Sequence, residues 1–236
     1  MKLKVVIPVI DKTNGIVCAE SIVMRDSSAG FTKEDIVIVD NTKDGLGDYF
    51  YGFEIHRDKD GHNMGVPRAW NIGARQVVDQ GLDYLVILSS SMEFGVKLHT
   101  TWVEQMERFD GANCIECDGH SWHLIAFHRR AFELVGYFDE NFYPGYFEAI
   151  DFGYRLRMLN MEGGWPRCWV NAMSRFVGRH TDLVLAPPLL RYYKEKWGGD
   201  KGEETYALPF GDKPLGYFED RSIPELAKKY ELTNWY

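Results

Sequence analysis

Apolar positions in this chain fall into short continuous runs separated by stretches with helical spacing. The run Leu3–Val9 predicts a first strand, closed by Pro8 and Asp11. Gly15–Arg25 predicts a helix with Ile16, Ala19, Ile22 and Val23 on one side. A second buried strand is predicted over Asp35–Val39, ending in Asp40-Asn41, and a short third over Phe53–His56. Between them, Asp44-Gly45-Leu46-Gly47 is a loop whose glycine spacing is not the dinucleotide fingerprint. Asn63-Met64-Gly65-Val66-Pro67 opens a helix, with Pro67 suited to the first turn. Trp70, Ala74, Val77 and Val78 give it an apolar stripe, and Gly81 can cap its end. Tyr84–Leu88 is the clearest strand, five apolar residues followed at once by Ser89, Ser90 and Ser91. A helix from His99 to Phe109 is expected to turn Trp102, Val103, Met106 and Phe109 inward.

The order β-α-β-β-α-β-α predicts an α/β fold with a mostly parallel sheet flanked by helices. The second half changes character. Asn113–Cys117 and Ser121–Phe127 read as strands of a mixed sheet. Arg129–Val135 reads as a helix stopped by Gly136, and Glu148–Met161 as a longer one stopped by Gly163-Gly164. Arg167–Met173 reads as another strand, and after His180 the chain is rich in Gly, Pro and aromatics. From Pro187 to Tyr236 this suits an aromatic wrap packed on the domain, or a glycine-hinged segment closing over a ligand.

Composition narrows the function. The 236 residues carry a net charge of −8, which argues against a nucleic-acid partner. No run reaches the ~18 apolar residues of a membrane span, and Met1-Lys2-Leu3-Lys4 does not open a secretory leader, so a cytoplasmic protein is expected. Cys114-x-x-Cys117 with His120 and His123 has a zinc-like look, but on a strand a spacing of three sends the two thiols to opposite faces. Reduced, structural cysteines are expected.

Ligands of open α/β sheets bind beyond the carboxyl ends of the strands. Asp40 and Ser89–Ser91 therefore face one crevice, where Asp40 suits either a ribose or base edge or a turn cap. Asn63, Gly65, Arg68 and Asn71 surround a helix start that favours an anion, and equally describe a capped amphipathic helix. Glu148 and Asp151 share one face at another helix start, where a carboxylate can act as general base. Arg155, four residues on, can instead make Asp151 an ordinary ion pair. Arg175, Arg179 and His180 are candidates for contacting phosphate.

Taken in order, these pieces resemble the family 2 glycosyltransferases of the GT-A fold over roughly Leu3–His180. The resemblance is carried by Val5-Val6-Ile7-Pro8-Val9, Ile36–Asn41, Asn63-x-Gly65-x-x-x-Ala69-x-Asn71-x-Gly73, the Asp83–Glu93 stretch and Phe127–Glu140. Lys196-Trp197-Gly198-Gly199 with Pro209-Phe210 resembles the tails of some members. It implies a Rossmann-like domain over 1–186, with a donor half (1–95) and an acceptor half (96–186), and a C-terminal extension over 187–236. It also implies inverting transfer from a nucleotide-diphosphate sugar, a UDP-sugar as the first guess, to a hydroxyl of a glycan, protein or small molecule. Pro8 and Ile10 would lie near the nucleoside, Asp40 on the base, and Asn63, Gly65, Arg68, Asn71, Ser89, Ser90, Ser91 and His180 near the donor.

Two departures bear on chemistry. The family's Asp-x-Asp falls on Ser89-Ser90-Ser91, and its Glu-Asp-x-Asp on Glu148-Ala149-Ile150-Asp151. Neutral hydroxyls are poor ligands for Mn²⁺ or Mg²⁺, so no metal is expected at the serines. The charge of the leaving diphosphate then falls to Arg68, Arg175, Arg179, His180 or Lys194. With Ala149 in place of the usual base, the catalytic base is expected to be Asp151 ahead of Glu148, because one residue along a helix turns a side chain by about 100° and Glu148 cannot simply take over the missing position. The alternative is a transferase-like module that binds a nucleotide sugar or glycan without turnover.

Overall fold

Four parallel strands form one half of the central sheet: β1 (Leu3–Val9), β2 (Ile36–Asp40), β3 (Glu54–Arg57) and β4 (Tyr84–Leu88). They come from a computed structural model that describes residues 1–23, 30–95, 101–117, 121–159, 166–168, 172–174 and 182–231. The crossovers are α1 (Lys12–Val23) between β1 and β2, and α2 (Gly65–Asp79) between β3 and β4. Pro8 lies within β1, yet costs no ladder bond toward β4, because that pairing stops at Val6 opposite Ile87.

After β4 come a short β5 (Met92–Phe94), α3 (Trp102–Glu107), β6 (Cys114–Cys117), β7 (Leu124–His128) and α4 (Arg129–Val135). Then follow α5 (Glu148–Met158), β8 (Arg167–Cys168), β9 (Ala172–Ser174), α6 (Asp182–Trp197) and α7 (Ile223–Lys229). The main sheet has the order β3-β2-β1-β4-β7-β6-β8, with β7 antiparallel to both neighbours, while β5 and β9 pair in a separate two-stranded ribbon. The single strand expected over Arg167–Met173 is thus two short ones, in different sheets. Phe109 follows α3 at the surface rather than facing inward.

Alternating strand residues feed two cores. Val5, Ile7, Ile36 and Ile38 pack with Cys18, Ala19 and Ile22 of α1 and Trp102 of α3. Val6, Val37, Val39, Leu85 and Ile87 pack under α2, α4, α5, α6 and α7. Cys114 lies in this second core and Cys117 in the first, as their strand spacing requires. Phe152 of α5 centres an aromatic cluster, 4.3 Å from Phe138 and 5.1 Å from Phe127 between ring centroids.

The helix α6 has no counterpart in the expectations for the tail. Pro187 and Pro188 inside it each lack an N–H, a signal against helix. Its buried Leu189, Tyr192, Tyr193, Lys196 and Trp197 have the i, i+3, i+4, i+7, i+8 spacing of one helix face, and that burial prevails. Among the described residues, no helix is long and apolar enough to cross a membrane.

Candidate active site

Three of the parallel strands end level with one another, and β4 stops two residues short of them. Val9 stands opposite Asp40, Asp40 opposite Arg57, and Val6 opposite Ile87, so β1, β2, β3 and β4 present their carboxyl ends along one edge. Asp40 is buried there with its oxygens engaged. Oδ1 accepts from the Thr42 amide (2.9 Å) and hydroxyl (2.6 Å), and Oδ2 from the Leu46 amide (3.1 Å) and Arg57 (2.8 Å). Of the two readings open from sequence, the turn-organising one describes this geometry. Ile10 is 38% exposed beside it, and Pro8 is half-buried.

The serines form a tight turn into β5. Ser89 Oγ and Ser91 Oγ lie 2.8 Å apart, the Ser89 amide donates to the His123 carbonyl (2.8 Å), and Ser89 O accepts from Met92 N (3.0 Å). Ser89, Ser90 and Ser91 are half-buried. A donor set of three neutral hydroxyls, two of them bonded to each other, does not fit a hard divalent cation.

The start of α2 does not offer the anion site that its sequence suggests, because protein acceptors already hold its amides. Met64 N donates to Asn41 Oδ1 (2.8 Å), Gly65 N to Asn63 Oδ1 (2.8 Å) and Val66 N to Pro144 O (2.6 Å), while Pro67 has no N–H. Gly65 is required here. Its φ is +74°, and a Cβ would stand 2.8 Å from Tyr143 and 2.9 Å from the Pro144 carbonyl. Asn71 is fully buried, donating to Phe138 O (2.8 Å) and Glu140 (2.9 Å) and accepting from Phe138 N (2.9 Å). Arg68 pairs with Glu140 and donates to Arg221 O (2.7 Å). Asn71 and Arg68 therefore tie α2 to the 138–140 segment and the tail instead of projecting into the crevice.

These contacts bring Tyr143 and Pro144 to the same edge. Tyr143 donates to Asn63 O (2.8 Å), and Pro144 caps Val66. Tyr146 (φ 77°) and Phe147 (φ 67°) then take left-handed conformations that turn the chain into α5. Phe147 packs against Phe142 and Tyr193. Glu148, the first residue of α5, follows Pro144 by four residues and so lies within about 14 Å of it. Its carboxyl is buried, and Oε2 has no hydrogen-bond partner among the described residues. Burial, aided by the negative charge of Asp151, pushes the carboxyl from its ordinary 4.5 up to about 7.

Asp151 has the opposite environment. Both of its oxygens are engaged: Oδ2 by Arg155 (3.0 and 2.7 Å), Oδ1 by Lys196 (2.7 Å) and Trp197 Nε1 (2.9 Å). Burial pushes its carboxyl up, but Arg155 and Lys196 outweigh this and hold it below its ordinary value. Lys196 also bonds Asp139 (2.8 Å), which accepts from Tyr192 (2.8 Å) and the Asn141 amide (2.9 Å). Arg155 continues to the carbonyls of Val135 (2.6 Å) and Tyr137 (2.8 Å). The i, i+4 ion pair foreseen for Asp151 and Arg155 is the arrangement found, so this carboxylate does not stand open to an acceptor.

Sequence reasoning missed Asp139 as the second acid of this network, although it lies in the Phe127–Glu140 segment. It also missed Lys12, one turn beyond β1, whose Nζ stands 4.2 Å over the Tyr49 ring. Lys194 pairs with Asp200 at the surface (2.8 Å). Arg175, Arg179 and His180 lie outside the described residues. Among the described residues, Asp58, Asp60 and His62 beyond β3 have ligand atoms within 4.8 Å of one another. Asp58 Oδ2 already accepts from His62 Nδ1 (2.9 Å) and from the amides of Asp60 (3.0 Å) and His62 (3.1 Å).

No protein-family model matches the chain, and no curated protein matches it significantly. Solved structures do. GalNAc-T7 with UDP, GalNAc and Mn²⁺ superposes with a TM-score of 0.54 at 15% identity, over 98% of this chain and 54% of its own. The mannosyltransferase PcManGT from Pyrobaculum calidifontis, in complex with GDP-Man and Mn²⁺, gives 0.57 at 15% identity, over 85% of this chain and 65% of its own. This chain thus spans less than two thirds of either. The shared architecture is the GT-A glycosyltransferase fold, a mixed sheet flanked by helices.

Lys196→Met keeps the stem but leaves Asp139 without its cation, and is expected to cost about 3–5 kcal/mol in urea unfolding. Glu148 sets a separate pH dependence. Its carboxyl is raised on folding, so its contribution is full below pH 4.5 and is lost as pH rises through about 7. Glu148→Gln should therefore gain stability relative to the native chain across that window and no further above it, as read by denaturation at stepped pH.

Proposed function

We propose that this chain is a glycosyltransferase that moves a sugar from a nucleotide-diphosphate donor to an acceptor hydroxyl. The observation that carries the reading is Glu148. It is a buried carboxyl, raised to about 7, with an oxygen that has no partner among the described residues, at a helix start four residues after Pro144, which bonds the start of α2. A general base works best with a pKa near the operating pH. In this reading Glu148 Oε2 takes the acceptor proton as the hydroxyl oxygen attacks the anomeric carbon. The bond from that carbon to the diphosphate breaks in the same displacement, giving inversion. Asp151 serves as a positioning group that fixes α5.

The two similar solved structures are complexes with UDP and GalNAc and with GDP-Man, which makes UDP- and GDP-sugars the donors to test first. Both complexes also contain Mn²⁺, for which the Ser89–Ser91 turn is a poor holder, so in this reading transfer runs without a metal at that turn. Lys12, at the mouth of the edge beside Tyr49, is the described cation best placed to meet the leaving diphosphate. Residues 1–95 would then form the donor half and 96–186 the acceptor half, with 187–236 as a brace for α5. The competing reading, a binding module without turnover, draws on the internally bonded serine turn, Asp40 and α2 start.

A donor-hydrolysis and transfer assay over UDP- and GDP-sugars decides between them. Glu148→Gln should lower kcat at least 100-fold with KM little changed. In the native chain kcat/KM should rise with pH through about 7, as the base loses its proton. Lys12→Met should lower kcat/KM about tenfold, and EDTA should leave the rate unchanged. A rate abolished by EDTA and restored by Mn²⁺ refutes the metal-free part. A donor that raises Tm while no product forms over the panel favours the binding module.

A further inference from the structure

Away from Glu148, an open cavity of about 790 Å³ lies between the outer side of α2 and the segment leading into α7. Arg68, Arg75 and Glu140 line one wall, and Phe218, Asp220, Arg221, Ser222 and Glu225 the other. Arg68 and Arg75 lie one and three turns into α2, so the cavity runs along the helix flank away from its start at the carboxyl edge.

Its chemistry is specific in three ways. Three guanidinium groups face three carboxylates, so the walls carry no net charge to select an ion. Hydrogen-bonding capacity of both kinds is left over. Arg75 is half-exposed with a long 3.4 Å contact to Glu140, which leaves guanidinium donors free, while Arg221 pairs with Glu219. Glu225 gives Oε2 to the Ser222 amide (2.7 Å) and hydroxyl (2.6 Å), leaving Oε1, and Asp220 is exposed. Half-buried Phe218 supplies an apolar face among these polar groups. The space is many times the ~30 Å³ share of one water and lies in the range of organic ligands, far more than a lone oxyanion fills.

A ligand matching all three features is uncharged, carries groups that both donate and accept, and has apolar ring faces. Hydroxyls both donate and accept. We propose that this cavity is a carbohydrate-binding site that takes a neutral oligosaccharide stretch of the acceptor, separate from the reacting centre. In assigning the sugar to the acceptor, the proposal rests on the transferase reading. The cavity's affinity for sugar does not.

The test uses the full chain with four neutral probes, cellotetraose, acetylated chitotetraose, maltotetraose and mannotetraose, by saturation-transfer NMR and calorimetry. At least one should bind. Phe218→Ala and Arg75→Gln should each weaken it tenfold or more, and Glu148→Gln should bind as the native chain does. Arg75 is half-exposed, so its variant reads the site even if Phe218→Ala loosens the 218–225 segment. Binding by none of the four overturns the proposal, as does binding unchanged in both variants. Displacement of the sugar by inorganic phosphate at equal concentration overturns it in favour of an anion site. Sugar bound as expected, with no transfer from any donor, removes the transferase reading and leaves the carbohydrate site standing.

Discussion

The buried ion network of Asp139, Lys196, Asp151 and Arg155 is the constraint on which the C-terminal half of this molecule depends. Two carboxylates and two cations are withdrawn from water together. Further partners come from Tyr192 and Asn141 on Asp139, Trp197 on Asp151 Oδ1, and main-chain carbonyls on the guanidinium. Such a network is costly unless complete, so it admits few alternative packings of α5, α6 and the 139–141 turn. Its members come from three separate stretches, which makes the tail part of the core. With α5 fixed, Glu148 is held at its start, raised by burial and by the neighbouring Asp151. The two acids, three residues apart, thereby acquire opposite characters: one ionised and saturated, the other raised to about 7 with a buried oxygen that has no partner among the described residues.

The carboxyl edge of the sheet shows a second economy. Many polar groups that a ligand would be expected to meet are already joined to one another. Asp40 shapes the loop after β2, Asn41 and Asn63 cap α2, and Pro144 fills the last open amide of that helix start. The same bonds draw Tyr143 and Pro144 against the edge, so the groups lost as ligand contacts become the hinge that places Glu148. On the far side of α2, Arg68 and Glu140 leave the edge altogether and form the wall of a polar cavity.

Local patterns accounted for much of the architecture. The strands Leu3–Val9, Ile36–Asp40 and Tyr84–Leu88 and the helix Arg129–Val135 were legible because apolar runs and stop signals such as Gly136 act within a few residues of chain. The opposite facing of Cys114 and Cys117 followed from strand geometry alone. The tail was less legible. Pro187-Pro188 masked α6, whose Leu189, Tyr192, Tyr193, Lys196 and Trp197 reveal their shared face only when Lys196 is counted as buried, and its partners lie 45 and 57 residues away in sequence.

By itself, the sequence determined the α/β class, the position of the strand ends and the candidate acids, since these rest on periodicity, turn chemistry and residue type. It also determined that hydroxyls, not carboxylates, follow β4, and hence that a hard cation has poor ligands there. Only the tertiary structure decided which acid is fully partnered and which is buried with an unpartnered oxygen. Lys196 and Trp197 must arrive from α6 to saturate Asp151, while nothing described reaches Glu148 Oε2. The role of a carboxylate depends on its burial and partners, and those are set by contacts between distant segments that no local pattern encodes.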